Sequence, residues 1–190
     1  MLKTMGRALM LLLVMMVLTG IAYPLVVTGL AQVIFPKQAD GSLAYKDGQP
    51  IGSVLIGQNF SNAGYFYSRP SAAGKDGYDA ISSGGSNLGP TNKVLIDSAA
   101  QRASKVRTDN GLSATAPVPG DLVTASASGL DPNITPEAGE IQIARVAKAR
   151  NLSEQKVRDL IKQSTDGRQF GFLGQTRINV LKLNIALDSL

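Results

Sequence analysis

The sequence is 190 residues long and contains no cysteine, histidine or tryptophan. Those absences exclude disulfides, thiolate and imidazole metal sites, cysteine nucleophiles, Ser-His-Asp triads and a cysteine-linked lipid anchor. Lys and Arg number 19 against 14 Asp and Glu, and this net charge of +5 is too mild for a chain that coats nucleic acid.

The first element lies at the N-terminus. From Ala8 to Pro36 there is no charged residue, and Leu9 to Leu30 is almost wholly Leu, Met, Val, Ile, Ala and Gly. At about 1.5 Å per residue this stretch reaches roughly 33 Å, which matches the hydrocarbon core of a bilayer at about 30 Å. Residues 1–36 are therefore predicted to be a short cytoplasmic N-terminus and one transmembrane helix. Lys3 and Arg7 precede the span and Lys37 and Asp40 follow it. By the positive-inside tendency the N-terminus faces the cytoplasm and residues 37–190 are exported.

A cleaved signal peptide is the competing reading, with cutting sites after Gly20-Ile21-Ala22 or Gly29-Leu30-Ala31. The apolar run is considerably longer than the h-region of about 7–15 residues that such a peptide needs, which favours the anchor. Pro24 is tolerated in a membrane helix when the freed carbonyl finds other partners. Gly20, Pro24 and Thr28 make a small, slightly polar stripe, read either as a face for another helix or as ordinary composition.

Setting Lys3 and Arg7 aside leaves 17 basic and 14 acidic residues beyond the anchor. Gly41 to about Pro90 is rich in Gly, Ser, Asn and Tyr, with short apolar runs at 51–56 and 65–67, and reads as short strands and ordered loops. Lys93 to Arg107 predicts a helix with Val94, Leu95, Ala99, Ala103 and Val106 on or near one face, stopped by Thr108-Asp109-Asn110-Gly111. Pro117-Val118-Pro119-Gly120 breaks the chain before Leu122. Thr135-Pro136-Glu137 supplies a cap, a first-turn proline and a first-turn acid for a helix running to about Arg150, with Asn151 as its stop. Ser153 caps a further helix carrying Val157, Leu160 and Ile161 and ending near Gly167. From Arg177 the alternation of Ile178 and Val180 fits a strand, and the tail to Leu187 is open between strand and short helix. Strands and helices without a regular βαβ period predict an α+β fold: one transmembrane helix followed by one soluble mixed α/β domain.

Several segments imitate chemistry. Gly84-Gly85-Ser86-Asn87-Leu88-Gly89-Pro90-Thr91 has the glycine spacing of a phosphate-cradling loop, but Pro90 stands where the lysine belongs and withholds a backbone N–H. A Ser/Gly/Asn loop can still offer N–H groups and hydroxyls to an anion or ribose, or serve as a rigid turn. Ser153-Glu154-Gln155-Lys156 fits the S-x-x-K pattern of serine acyl-enzymes. Without a K-T-G triplet, and at a place that wants a helix cap, it reads as the cap. The helices between Thr135 and Gln163 imitate a helix-turn-helix, which would need the cytoplasmic side and a more basic surface. Asp121 and Asp131 read as turn caps rather than metal ligands. Sequons occur at Asn59, Asn133 and Asn151 and matter only in a host that glycosylates. No catalytic and no metal-ligating residue is assigned.

The motifs taken together resemble one family over nearly the whole chain. They are Gly20 to Pro24, Gly41-Ser42, Leu55 to Phe60 (LIGQNF), Tyr65-Phe66 with Arg69-Pro70-Ser71, and Ser83 to Leu88 (SGGSNL). Leu122 to Asp131 (LVTASASGLD), Arg145 to Leu152 (RVAKARNL), Asn179-Val180 and Leu183 to Asp188 (LNIALD) complete the series. The chain resembles the C-subunit family of bacterial Kdp-type potassium-transporting ATPases.

The resemblance implies an accessory, non-hydrolytic, single-span subunit of a high-affinity potassium uptake complex in the bacterial inner membrane. Its implied partners are a potassium-selective channel-like subunit, a P-type ATPase subunit that hydrolyses ATP, and a small single-span subunit. It also implies an alternative role, a catalytic chaperone that raises the pump's affinity for ATP. That role would assign Ser83, Gly84, Gly85 and Ser86 to ATP shared with the pump, the chain having no cofactor of its own. The charge asymmetry puts those residues outside, away from cytoplasmic ATP. It favours a role in assembly, with the exported domain over the potassium entrance.

Overall fold

A computed structural model of the chain describes residues 1–190. It divides into two compact units, Met1–Ser53 and Val54–Leu190.

The first unit is dominated by one continuous helix, α1 (Leu2–Ile34), of 33 residues, long and apolar enough to cross a membrane. Its helical path exceeds the expected span at both ends, so Lys3 and Arg7 lie within its first turns. Between Leu18 and Ala22 the helix widens into a π-turn, and the Tyr23 N–H reaches back to the Leu18 carbonyl. The cause is Pro24, which has no N–H for the Gly20 carbonyl and whose ring would strike it in a regular helix. A widened turn just before the proline relieves the clash without breaking the rod. Apart from half-buried Ala31, every residue of α1 is exposed, the pattern that a lipid-facing helix would show. Pro36 disfavours the helical conformation at Phe35, which turns out to φ −133° and ends α1.

The hairpin that follows pairs β1 (Leu43–Lys46) with β2 (Gln49–Ser53) in antiparallel register. Asp47 and Gly48 link them at φ +51° and +77°, the two left-handed residues that match the right-handed twist of paired strands.

In the second unit, residues 54–92 hold no helix or strand. The apolar run at 51–56 is a strand only to Ser53, and Tyr65–Tyr67 forms no strand. α2 (Lys93–Asp109) appears as expected, two residues longer, with the Asn92 side chain accepting the Val94 N–H. Leu112 and Gly111 donate to the carbonyls of Arg107 and Thr108, which satisfies two of its last carbonyls in a Schellman ending. Val94 is exposed, contrary to the expected apolar face, whereas Val106 packs on the core.

The helix expected over 135–150 is two helices, α3 (Pro136–Glu140) and α4 (Ile143–Arg150). The break comes from Gln142, whose backbone N–H goes to Gly139 while its side-chain amide takes the Ala138 carbonyl at 2.9 Å. A side chain has replaced the backbone donor of one turn. Asn151, left-handed at φ 54°, ends α4. α5 (Glu154–Gln163) stops short of Gly167 because Thr165 and Asp166 become a strand, β4 (Thr165–Asp166).

The open tail resolves into both alternatives. β5 (Arg177–Asn179) lies between β3 (Asn133–Ile134) and β4, antiparallel to each, and α6 (Val180–Asp188) follows at once. Asn179 ends the strand and caps the helix by accepting the Lys182 N–H at 3.1 Å. The core lies between this small sheet and α3 to α6, built from Ile134, Ile143, Val146, Val157, Ile161, Ile178, Leu183 and Leu187, with Phe66 inserted from the irregular half. At roughly 1.5–3 kcal/mol for each large apolar side chain fully buried, this half carries most of the hydrophobic stabilisation.

Candidate functional site

The segment Ser83 to Ser86 is the one that sequence singles out for an anion. In the fold it lies along the backbone of residues 126–129. The Ser83 hydroxyl donates to the Ser128 carbonyl at 3.0 Å, and the Gly84 N–H donates to the same oxygen at 2.9 Å. A Cβ on Gly85 would stand 3.0 Å from the Ala127 carbonyl oxygen. One on Gly129 would stand 2.6 Å from the Gly84 oxygen and 2.7 Å from the Ala73 nitrogen, at φ +66°. Both glycines are therefore where two chains touch without room for a side chain.

Ser71 extends the same layer. Its hydroxyl donates to the Gly129 carbonyl at 2.6 Å and accepts the N–H groups of Ala73 and Tyr78. Ser86 is exposed at the layer's edge. The N-terminus of α2 further on is closed by Asn92, its own cap. A phosphate cradle needs convergent, unspent N–H groups at a helix start; here the Gly84 donor is committed to a carbonyl.

A second polar constellation organises residues 62–67, and single-residue reasoning did not identify it. Arg145 is 9% exposed. Its guanidinium donates to the carbonyls of Ala63 at 2.6 Å and Tyr65 at 2.9 Å, to Gln142 Oε1 at 2.7 Å and to Asn110 Oδ1 at 3.0 Å. It also stacks 3.8 Å above the Tyr67 ring. Burial lowers its pKa, opposed by Tyr67 and Asp109, and a guanidinium stays charged under all ordinary conditions. Arg150 donates to the Gly64 carbonyl and pairs with Asp188 at 2.6 Å, which in turn accepts the Tyr65 hydroxyl.

Side-chain amides complete the arrangement. Asn184 accepts the Phe66 N–H at 2.8 Å and donates to the Phe66 carbonyl at 3.0 Å. Gln142 accepts the Tyr67 N–H at 2.7 Å. The amide of Asn184 thus does for Phe66 what a neighbouring strand would do, which is how a buried segment without a sheet partner avoids stranded polar groups. The available signal was an Asn within the apolar run of α6 and a Gln and an Arg beside Ile143 and Val146.

The other candidates are structural in their contacts. Asp121 accepts the Thr135 N–H at 2.6 Å, and Asp131 accepts the Asn133 N–H while pairing with Arg69 at 2.9 Å. Ser153 accepts the backbone N–H of Lys156, not its amine, at 3.3 Å. A cavity of about 270 Å³ lies between α2 and residues 59–70, lined among others by Phe60, Tyr67, Tyr78, Arg102, Lys105 and Leu122. Its basic groups are engaged internally, Arg102 with the Val123 carbonyl and Lys105 with Asp109. Tyr78 donates to the Arg69 carbonyl, and burial raises its pKa.

Comparison with known proteins bears on the whole of this arrangement. A family model described as K+-transporting ATPase, c chain, matches residues 5–189. The chain belongs to the KdpC family. It is 60% identical over 174 residues to the potassium-transporting ATPase KdpC subunit of Acidobacterium capsulatum, covering 92% of this chain and 91% of that one. The KdpC subunit of Methylococcus capsulatus is 56% identical, with 96% of each chain covered, and that of Mycobacterium bovis is 54% identical at the same coverage. The fold explains why the motifs that carry the KdpC resemblance occur together. RVAKARNL supplies Arg145 and Arg150, LNIALD supplies Asn184 and Asp188, and both bind the backbone around Tyr65-Phe66. SGGSNL and LVTASASGLD are likewise the two sides of one contact.

Proposed function

We propose that this chain is an accessory, non-hydrolytic subunit of a potassium-transporting ATPase in the bacterial inner membrane. Its helix α1 anchors it, and its second unit is exported to lie over the potassium entrance of a channel-like subunit and to stabilise the assembly. A P-type subunit hydrolyses ATP, and a small single-span subunit is a further partner. The observation that carries this reading is the charge asymmetry of α1, with Lys3 and Arg7 in its first turns and no further charge before Lys37. That pattern favours a cytoplasmic N-terminus and an exported domain. The names of the relatives supply the assembly, and α1, exposed at every residue but Ala31, is free to meet other helices in lipid.

The alternative, a chaperone that raises the pump's ATP affinity through Ser83 to Ser86, gains nothing from the geometry. Ser83 and Gly84 already share the Ser128 carbonyl, and the charge pattern of the anchor favours an exported segment, away from cytoplasmic ATP. The test is sidedness. The chain has no cysteine, so Ser86→Cys in the full assembly can be labelled in intact cells with a membrane-impermeant maleimide. Labelling before lysis is expected. Labelling only after lysis would overturn the topology and return nucleotide binding to the cytoplasmic side.

A further inference from the structure

The second unit exposes one apolar feature that its own core does not use. Between β4 and β5 the chain turns back on itself, and at the tip Phe170 is 86% exposed, Phe172 70% and Leu173 47%. A folded domain seldom leaves two phenylalanines within three residues so open to water, and clustered apolar exposure of this kind marks interaction sites. The tip is built rather than frayed. Gln169 and Leu173 exchange both backbone hydrogen bonds at 2.9 Å, and the Gly171 N–H reaches the Arg168 carbonyl. With these backbone groups paired internally, what the tip offers a partner is its side chains on a preordered backbone, which lowers the entropy lost on docking.

Phe170 also sits at φ +52°, a left-handed conformation that is unfavourable for a bulky residue and easy for Gly or Asn. The ring is therefore kept against both solvation and backbone preference. Such a combination points to use elsewhere.

Area and tethering identify the occupant. Phenylalanines bury about 150–250 Å² each, so with Leu173 the tip offers roughly 400 Å², about half of the ~800 Å² per partner of a stable free-standing interface. A second free copy of this chain is thus a poor match. A contact this small holds when the partner is kept nearby, which raises its effective concentration. The segment from Ile34 to Val54 spans at most ~70 Å when extended, less the fold-back of the β1–β2 hairpin. Anchorage of the chain through α1 would keep it in the same membrane as other anchored subunits, which raises their effective concentration. The bilayer itself is a weaker candidate, because α1 already supplies a membrane attachment that two aromatic rings would not improve.

We propose that residues 168–175 form the knob by which the second unit docks into an apolar pocket on another membrane-anchored subunit of the same ATPase assembly. The exposed Arg168 at the base of the tip matches a pocket with carboxylates on its rim. The inference rests on the assembly reading above for the partner's identity alone.

The test uses the full chain in the assembled complex, with Gln169→Cys as the only cysteine in this chain and both phenylalanines kept. Maleimide incorporation is read on this chain after denaturing separation. Labelling is expected to slow at least about tenfold on assembly, an ordinary effect for a site beside a buried anchor. Adding F170S and F172S should restore the labelling rate and weaken retention of the chain by about a hundredfold. The tip is solvent-exposed, so an unchanged melting curve for the isolated triple variant separates lost docking from lost folding. Equal labelling free and assembled would overturn the docking knob while leaving complex membership intact. Protection of the isolated chain in lipid vesicles alone would assign the tip to the bilayer and overturn it as well. Failure of the chain to co-purify with any partner would overturn the assembly reading and this inference with it.

Discussion

Residues 62–67 and residues 83–86 are both irregular, yet they are held in opposite ways. The first is held by long side chains reaching from helices, Arg145 and Arg150 from α4, Gln142 from the break before it and Asn184 from α6. The second is held by the absence of side chains, with Gly85 and Gly129 letting two backbones touch. The difference teaches what each kind of motif is for. Scattered Arg, Gln and Asn supply a missing strand partner, whereas a Ser/Gly run can supply close approach rather than a ligand site.

The contrast can be broken from either side, beginning with the largest effect. Arg145→Ala removes a buried cation and leaves the carbonyls of Ala63 and Tyr65 and the side chains of Gln142 and Asn110 short of a partner. We expect a loss of roughly 3–5 kcal/mol in urea denaturation of the full chain. Arg145→Lys should recover only a minor part, because one ammonium cannot reproduce the planar fork or its stacking on Tyr67. Asn184→Leu keeps the branched shape but strands both backbone groups of Phe66, for a loss of about 2–4 kcal/mol. If its cost is no more than that of an ordinary apolar swap, the amide is not replacing a strand.

On the glycine side, Gly129→Ala is expected to cost about 2–4 kcal/mol, since the new methyl meets two backbone atoms at a left-handed φ. Gly89→Ala, where a Cβ meets nothing within 4 Å, should be nearly neutral and serves as its control. The smallest effect belongs to Ser153→Ala, about 1 kcal/mol for a helix cap. Rescue of that loss by Ser153→Asp would confirm that the serine caps rather than reacts.

Much of this was legible where the signals are local. The anchor, α2, the caps Thr135 and Ser153 and the stop at Asn151 follow from neighbours within a few residues. The split at Gln142 was not legible, because the side chain that breaks the helix is fixed by Tyr67, 75 residues away. The missing strand at Tyr65–Tyr67 has the same cause: β propensity was present, but the partner is a set of helix side chains. Ser83–Ser86 carries a glycine pattern that two different uses share, and its packing on the backbone of 126–129 is a long-range contact that local sequence does not show. The aromatic tip at Phe170–Phe172 read as part of no element, since exposure is not written in composition.

The most direct measurement for the account is amide hydrogen exchange at Gly84 in the full chain, with and without ATP. A donor committed to the Ser128 carbonyl predicts slow exchange, comparable to Gly57, whose N–H donates to Leu130 at 2.8 Å, and no change on adding nucleotide. Rapid exchange, or protection that appears only with ATP, would contradict the structural role of the SGGS segment.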